Sequence, residues 1–175
     1  PLPMAKKFAP QQFLNRELAH LEFNRRVLAQ AEDAGVPLLE RLKYLCIVSS
    51  NLDEFFEIRV AGLKEQIKLG GIATGADGMT AKQTLKLVHD QAHQLIARQY
   101  QLFNTDLIPA LAAQGIQFLR RPDWNEAQRA WVSDFFFREV MPVLTPIGLD
   151  PAHPFPRVLN KSLNFAVELQ GKDAF

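Results

Sequence analysis

Between Leu38 and Leu69 the apolar residues recur in steps of three and four, and Ser49-Ser50-Asn51 interrupts them once. That spacing places apolar side chains on one side of an α-helix, so the segment reads as amphipathic helices packed through one face. Leu38 to Val48 is expected as one helix and Leu52 to Leu69 as the next, because Ser and Asn prefer helix caps to helix interiors. Two capping boxes overlap at the break. Ser50 with Asp53, and Asn51 with Glu54, each put a side-chain oxygen before an acid three residues on. Only one of them can be the cap, and the other side chain is left at a helix N-terminus. Free N–H groups and the helix dipole favour an anion or a nucleotide there.

Other helical patterns flank this pair. The first helix is predicted from Asn15 toward Ala34, closed by Gly35 and Pro37. Its apolar residues divide into two faces, Leu14, Leu18, Leu21 and Leu28 against Phe23, Val27 and Ala31. One face meets neighbouring helices, and the other is expected to pack on a second domain or another subunit. The stripe Leu52, Phe56, Val60, Leu63 and Ile67 ends at Gly70-Gly71, and Gly70 to Met79 reads as a mobile surface connection. Thr80 and Gln83 then cap a long helix through Leu85, Val88, Ala92, Leu95, Ile96, Leu102 and Phe103, which bends near Pro109 and closes at Gly115.

Beyond this point the composition changes. Ile116 to Leu119 is short and extended, Asp123 with Glu126 is expected to cap a helix ending before Pro142, and Pro142 to Pro156 holds five prolines. Leu163, Phe165, Val167 and Leu169 alternate with Ser162, Asn164, Ala166 and Glu168, the period of a strand with one buried face. The predicted fold class is therefore mainly α: antiparallel helices bundled over residues 1–115, then the truncated start of an α+β domain over 116–175.

Bulk properties narrow the functions. With 20 Lys and Arg against 19 Asp and Glu, the net charge of +1 supplies no global field for nucleic acid or an anionic membrane. The single Cys46 excludes an internal disulfide and reads as a buried thiol in a reducing compartment. No segment has the length and apolarity of a membrane span or a signal peptide. No Walker pattern is present. His89 and His93 have the i, i+4 spacing of two metal ligands, yet no third ligand is suggested, so no metal site is assigned. His153, among prolines, suits a structural hydrogen bond or a substrate contact. Trp124, Trp131 and Phe135-Phe136-Phe137 read as core or interface. Spacing alone yields no catalytic site.

Several segments together resemble the N-terminal part of the bacterial polyphosphate kinases of the first type. They are Phe13-Leu14-Asn15-Arg16-Glu17-Leu18, Leu21-Glu22-Phe23-Asn24-Arg25-Arg26-Val27-Leu28, Pro37-Leu38-Leu39-Glu40-Arg41-Leu42-Lys43-Tyr44-Leu45 and Ser49 to Phe56 with Arg59-Val60. Thr145-Pro146, His153-Pro154-Phe155-Pro156 and Asn160-Lys161-Ser162-Leu163-Asn164 continue the likeness. Ala19-His20 stands where the family usually has Ser-Trp, a difference of packing.

The resemblance implies an enzyme that reversibly moves the terminal phosphate of ATP onto inorganic polyphosphate, using Mg2+ and a phosphohistidine. It implies that the nucleophilic histidine and most phosphate-binding arginines lie beyond Phe175, so that no catalytic residue is in this fragment. The expected partners are ATP or ADP, polyphosphate, the remaining domains and a second subunit, without nucleic acid. The expected location is the cytoplasm, membrane association being left open. By the same resemblance Asn51 contacts ATP, a role its amide donor and acceptor suit as well as capping. Ser50, Asp53 and Glu54 support the helix start, and Tyr44, two turns earlier, lines the pocket. A helical protein-interaction or small-ligand module without catalysis is the alternative.

Overall fold

A computed structural model describes residues 8–70, 74–149, 152–159 and 161–168. Gly71 and Leu169, part of the expected helix stop and strand, lie outside them. The chain divides into two units, Pro1–Leu119 and Arg120–Phe175.

The first unit is built from three helical rods. The first is α1 (Arg16–Glu32); the second joins α2 (Leu38–Glu54), a π-helical turn (Phe55–Val60) and α3 (Ala61–Lys68). The third joins α4 (Ala81–Leu102), another π-helical turn (Phe103–Leu107) and α5 (Ile108–Ala113). At a rise of about 1.5 Å per residue the second rod is roughly 45 Å long. Contacts at both ends fix the directions. Asn24 meets Asn51 while Ala31 meets Arg41, so α1 and α2 run antiparallel. Gln99 meets Leu45 while Asp106 meets Arg41, so the second and third rods also oppose each other.

Local sequence sets most rod ends. Asn15 caps α1, its Oδ1 accepting from the N–H groups of Glu17 and Leu18 at 3.1 Å each. Thr80 and Gln83 close the capping box that their spacing predicts. Gly70 and Gly115 end α3 and α5 at φ of +66° and +81°, a region that strains residues carrying a Cβ. The connection after Gly70, expected to be mobile, is anchored at its far end. Asn15 Nδ2 donates to Asp77 Oδ2 at 2.7 Å and to Thr84 Oγ1 at 3.2 Å, tying loop, α1 and α4 together.

The expected break at Ser49-Ser50-Asn51 does not form, because α2 runs unbroken from Leu38 to Glu54. Neither capping box exists, and Ser50, Asp53 and Glu54 lie exposed on a continuing helix. The reason is tertiary. Ser49 Oγ accepts from Gln99 Nε2 at 2.5 Å, and Asn51 Nδ2 donates to Asn24 Oδ1 at 3.0 Å, so neither side chain competes for the helix backbone. The buried stripe Leu45, Val48, Leu52, Phe55 runs straight through the polar run.

The irregularity sits one turn later. From Leu52 the buried positions are Phe55, Val60 and Leu63, and the five-residue step from Phe55 to Val60 spans the π-helical turn. A π turn bonds i to i+5 and admits an extra residue, which rotates the following stripe. Phe55 continues the α2 stripe into the core, the turn brings Val60 onto the same face, and Phe56, the expected core residue, is exposed. The third rod repeats the device, with Leu102, Leu107 and Leu111 buried across Phe103–Leu107. Pro109 follows that turn closely. It has no N–H for the helical ladder, and a widened turn accommodates the missing bond where a bend is expected.

Leu21, Leu28, Ala31, Leu45, Val48, Leu52, Phe55, Val88, Ala92, Leu95, Leu102 and Leu107 belong to one hydrophobic cluster. Burying each large member stabilises by about 1.5–3 kcal/mol. Ala31 lies in this core and not with Phe23, which is exposed. Cys46 is exposed as well, against expectation, because it lies off the α2 stripe Arg41, Leu45, Val48, Leu52.

In the second unit α6 (Glu126–Phe135) continues as a π-helical turn (Phe136–Val140) and a 3-10 turn (Met141–Val143) containing Pro142. Asn125 with Gln128 is the capping box, correcting Asp123 with Glu126; the Asp123 carboxylate accepts from the Arg120 N–H. Trp131, Phe135, Phe136 and Phe137 are exposed. The segments at 116–119 and 163–168 keep their strand-like sequences but join no sheet among the described residues. A strand's backbone is satisfied only by a neighbouring strand, and alternation alone does not provide one.

Arg41 locks all three rods. Its side chain is 9% exposed; Nε donates to the Ala31 carbonyl at 2.8 Å and a terminal nitrogen meets Asp106 at 2.6 Å. Replacing it removes two charge-assisted bonds and the packing of its stem. Arg41→Ala is expected to destabilise the first unit by about 2–3 kcal/mol. Asp106→Asn should have the smaller effect, since Asp106 is half exposed. Thermal unfolding followed by circular dichroism measures both; equal melting temperatures for wild type and Arg41→Ala would refute the lock.

Candidate functional site

The site residues predicted from sequence all lie on α2. Asn51 lies half-buried near the end of α2, with Ser50, Asp53 and Glu54 exposed beside it. Tyr44 is seven residues earlier, two turns along the same side, and packs against the core. A cleft of about 280 Å³ opens elsewhere, at the start of α1, where Asn15, Arg16, Gln66, Asp77 and Thr84 contribute to its lining. Its central amide is fully engaged. Asn15 Oδ1 takes two backbone N–H groups and Nδ2 supplies Asp77 and Thr84, so this amide caps and ties and has nothing left to offer a ligand.

Asn51 is held differently. Asn24, 1% exposed on α1, donates from Nδ2 to the Val48 carbonyl at 3.1 Å and accepts from Asn51 Nδ2 at 3.0 Å. One turn further along both helices, the His20 ring stacks on Phe55 with centroids 5.2 Å apart and planes 8° from parallel. The α1–α2 seam thus carries two successive rungs, one polar and one aromatic. At its edge Phe23 is exposed, with the Arg26 guanidinium 5.9 Å from its ring centroid. This place offers a neutral amide with unused capacity, beside aromatic surface.

Sequence reasoning missed Asn24 as a site residue. The signal was present, since Asn24 lies three residues after Leu21 and four before Leu28, a polar residue inside a core stripe. Gln99, 5% exposed, is the counterpart on α4, donating to the Leu45 carbonyl at 3.3 Å and to Ser49 Oγ. Both amides brace α2 around Asn51. The acids beside it supply no cap.

The remaining candidates stay apart from this seam. His89 and His93 are exposed on α4 with ring centroids 4.1 Å apart, and His93 Nδ1 lies 2.8 Å from the His89 carbonyl. Among the described residues no three His, Cys, Asp or Glu side chains are grouped as metal ligands. His153 is exposed in the second unit, and Trp131 stacks on Phe135 at 5.3 Å.

Comparison with known proteins places this geometry. Residues 13–119 match the polyphosphate kinase N-terminal domain, and residues 127–175 match the polyphosphate kinase middle domain. A polyphosphate kinase of Paraburkholderia phytofirmans is 60% identical over 162 residues, covering 93% of this chain and 24% of that protein. One from Neisseria meningitidis serogroup C is 60% identical over 168 residues, 95% of this chain and again 24% of the relative. The chain thus spans about a quarter of the length of the curated relatives it matches. The crystal structure of polyphosphate kinase from Porphyromonas gingivalis superposes with a TM-score of 0.70 at 28% identity, over 83% of this chain and 20% of that one. The helical bundle and the family match cover the same residues, and the chain belongs to the polyphosphate kinase family.

Proposed function

We propose that this chain is the N-terminal region of an enzyme that reversibly transfers the terminal phosphate of ATP to inorganic polyphosphate, and that Asn51 contacts the nucleotide. The observation that carries the activity is the family match over 13–119 and 127–175. In this reading the phosphohistidine, the Mg2+ and most phosphate ligands belong to the three quarters of the relatives' length not matched here. The residues of this chain bind and orient, and no step of phosphoryl transfer is assigned to them. The junction expected near residue 115 separates a nucleotide-side helical domain from a middle domain. The exposed Phe23, Ile47, Phe56 and Ile58 of the first unit are proposed to pack against other domains or a second subunit. No helix among the described residues is long and apolar enough to cross a membrane, and a cytoplasmic enzyme accords with that.

What supports Asn51 is its chemistry and its restraint. A neutral amide can hydrogen-bond the nucleoside without adding a charge that would repel the triphosphate beyond it, and a side chain already held by Asn24 loses less freedom on binding. Tyr44, two turns away, is the weaker candidate for the same wall. Removing one such contact is expected to weaken ATP binding about three- to thirtyfold. Nucleotide titration of the full-length enzyme carrying Asn51→Ala tests this, and unchanged affinity would refute it. The 175-residue chain alone is expected to form no polyphosphate from ATP; turnover that survives contamination controls would overturn the assignment of the chemistry to the rest of the protein.

A further inference from the structure

The partners of Asn24 determine which end of Asn51 faces outward. A backbone carbonyl can only accept, so the Asn24 end facing Val48 must be its nitrogen, 3.1 Å from that oxygen. The other end of Asn24 is then its oxygen, which also can only accept. It meets Asn51 at 3.0 Å, so Asn51 turns its nitrogen inward. Asn24 is 1% exposed and cannot exchange these bonds for water without opening the seam between α1 and α2. Asn51 Oδ1 has no hydrogen-bond partner among the described residues and is left at the half-buried edge, with the second N–H beside it.

We propose that Asn24 is a positioning residue: it fixes the polarity of the Asn51 carboxamide, so that Asn51 meets the nucleotide oxygen-first and recognises a hydrogen-bond donor on the nucleoside. The inference rests on the reading that Asn51 contacts ATP. Phosphate oxygens are acceptors at working pH and are repelled by an amide oxygen, so the group that Oδ1 itself recognises is the exocyclic amine of the base or a ribose hydroxyl. Without Asn24 the Asn51 amide is free to rotate, and part of the population presents nitrogen where oxygen is needed.

The test is a double-mutant cycle in the full-length enzyme, reading KM and kcat for ATP together with the melting temperature. Asn24→Leu is expected to raise KM for ATP about three- to tenfold with kcat little changed, and to add nothing in the Asn51→Ala background. Asn24→Asp, which keeps the oxygen that Asn51 donates to, is expected to lower the melting temperature while leaving KM within about twofold of wild type. It serves as the readout if Asn24→Leu does not fold. Analogues identify the donor: inosine triphosphate lacks the amine, and 2′-deoxy- and 3′-deoxy-ATP lack one hydroxyl each. One of these losses should raise KM in the wild type and have no effect in Asn51→Ala. If Asn51→Ala leaves KM unchanged, the nucleotide reading itself fails. If Asn51→Ala raises KM, the positioning role alone is overturned by additive effects of Asn24→Leu and Asn51→Ala, by a KM for Asn24→Asp as high as for Asn51→Ala, or by indifference to all three analogues.

Discussion

The first unit depends on polar contacts made at the middle of α2. Helix carbonyls already accept one hydrogen bond along the helix and keep a second lone pair. Asn24 from α1 and Gln99 from α4 reach those of Val48 and Leu45, while Arg41 reaches from α2 to the Ala31 carbonyl at the end of α1. Leucine contacts tolerate sliding and rotation between rods, whereas a buried amide paired to one carbonyl does not, because a slip leaves both groups unsatisfied. The apolar stripe holds the rods together, and these three side chains fix their register.

The two π-helical turns belong to the same problem. Each rod is long, and a straight α-helix would let its stripe drift around the axis. An extra residue at Phe55–Val60 and at Phe103–Leu107 resets the stripe, so that Val60 and Leu63 on one rod, and Leu107 and Leu111 on the other, remain buried. The first of these turns begins four residues beyond Asn51. Its first residue, Phe55, lies under the His20 ring, one turn from the amide pair, so the seam and the reset of the stripe meet at this residue.

Much of this was legible from local chemistry. Asn15, Thr80 with Gln83, Gly70 and Gly115 act as the ends their residue types announce, since caps and left-handed stops are settled within four residues. Local propensity predicts a break at Ser49-Ser50-Asn51 that distant partners remove: Gln99 is 50 positions from Ser49, and Asn24 is 27 from Asn51. A three- and four-residue pattern also cannot reveal a π turn, and it selects Phe56 for the core where Phe55 belongs. The strand expected at 163–169 joins no sheet among the described residues, because its sequence states a preference that only a neighbouring strand can realise.

The continuity of α2 also decides what Asn51 presents. As a cap, Asn51 would have spent its oxygen on the backbone N–H groups of its own helix, leaving its nitrogen to face a ligand. Inside a continuous helix those N–H groups are already bonded, and Asn24 takes the nitrogen instead. The two arrangements present opposite ends of one amide. An acceptor at that edge suits a hydrogen-bond donor, such as a nucleoside offers, and not a phosphate oxygen. The proposal that Asn51 contacts ATP therefore assigns the neutral part of the nucleotide to this helical seam and its charged part to the remaining domains.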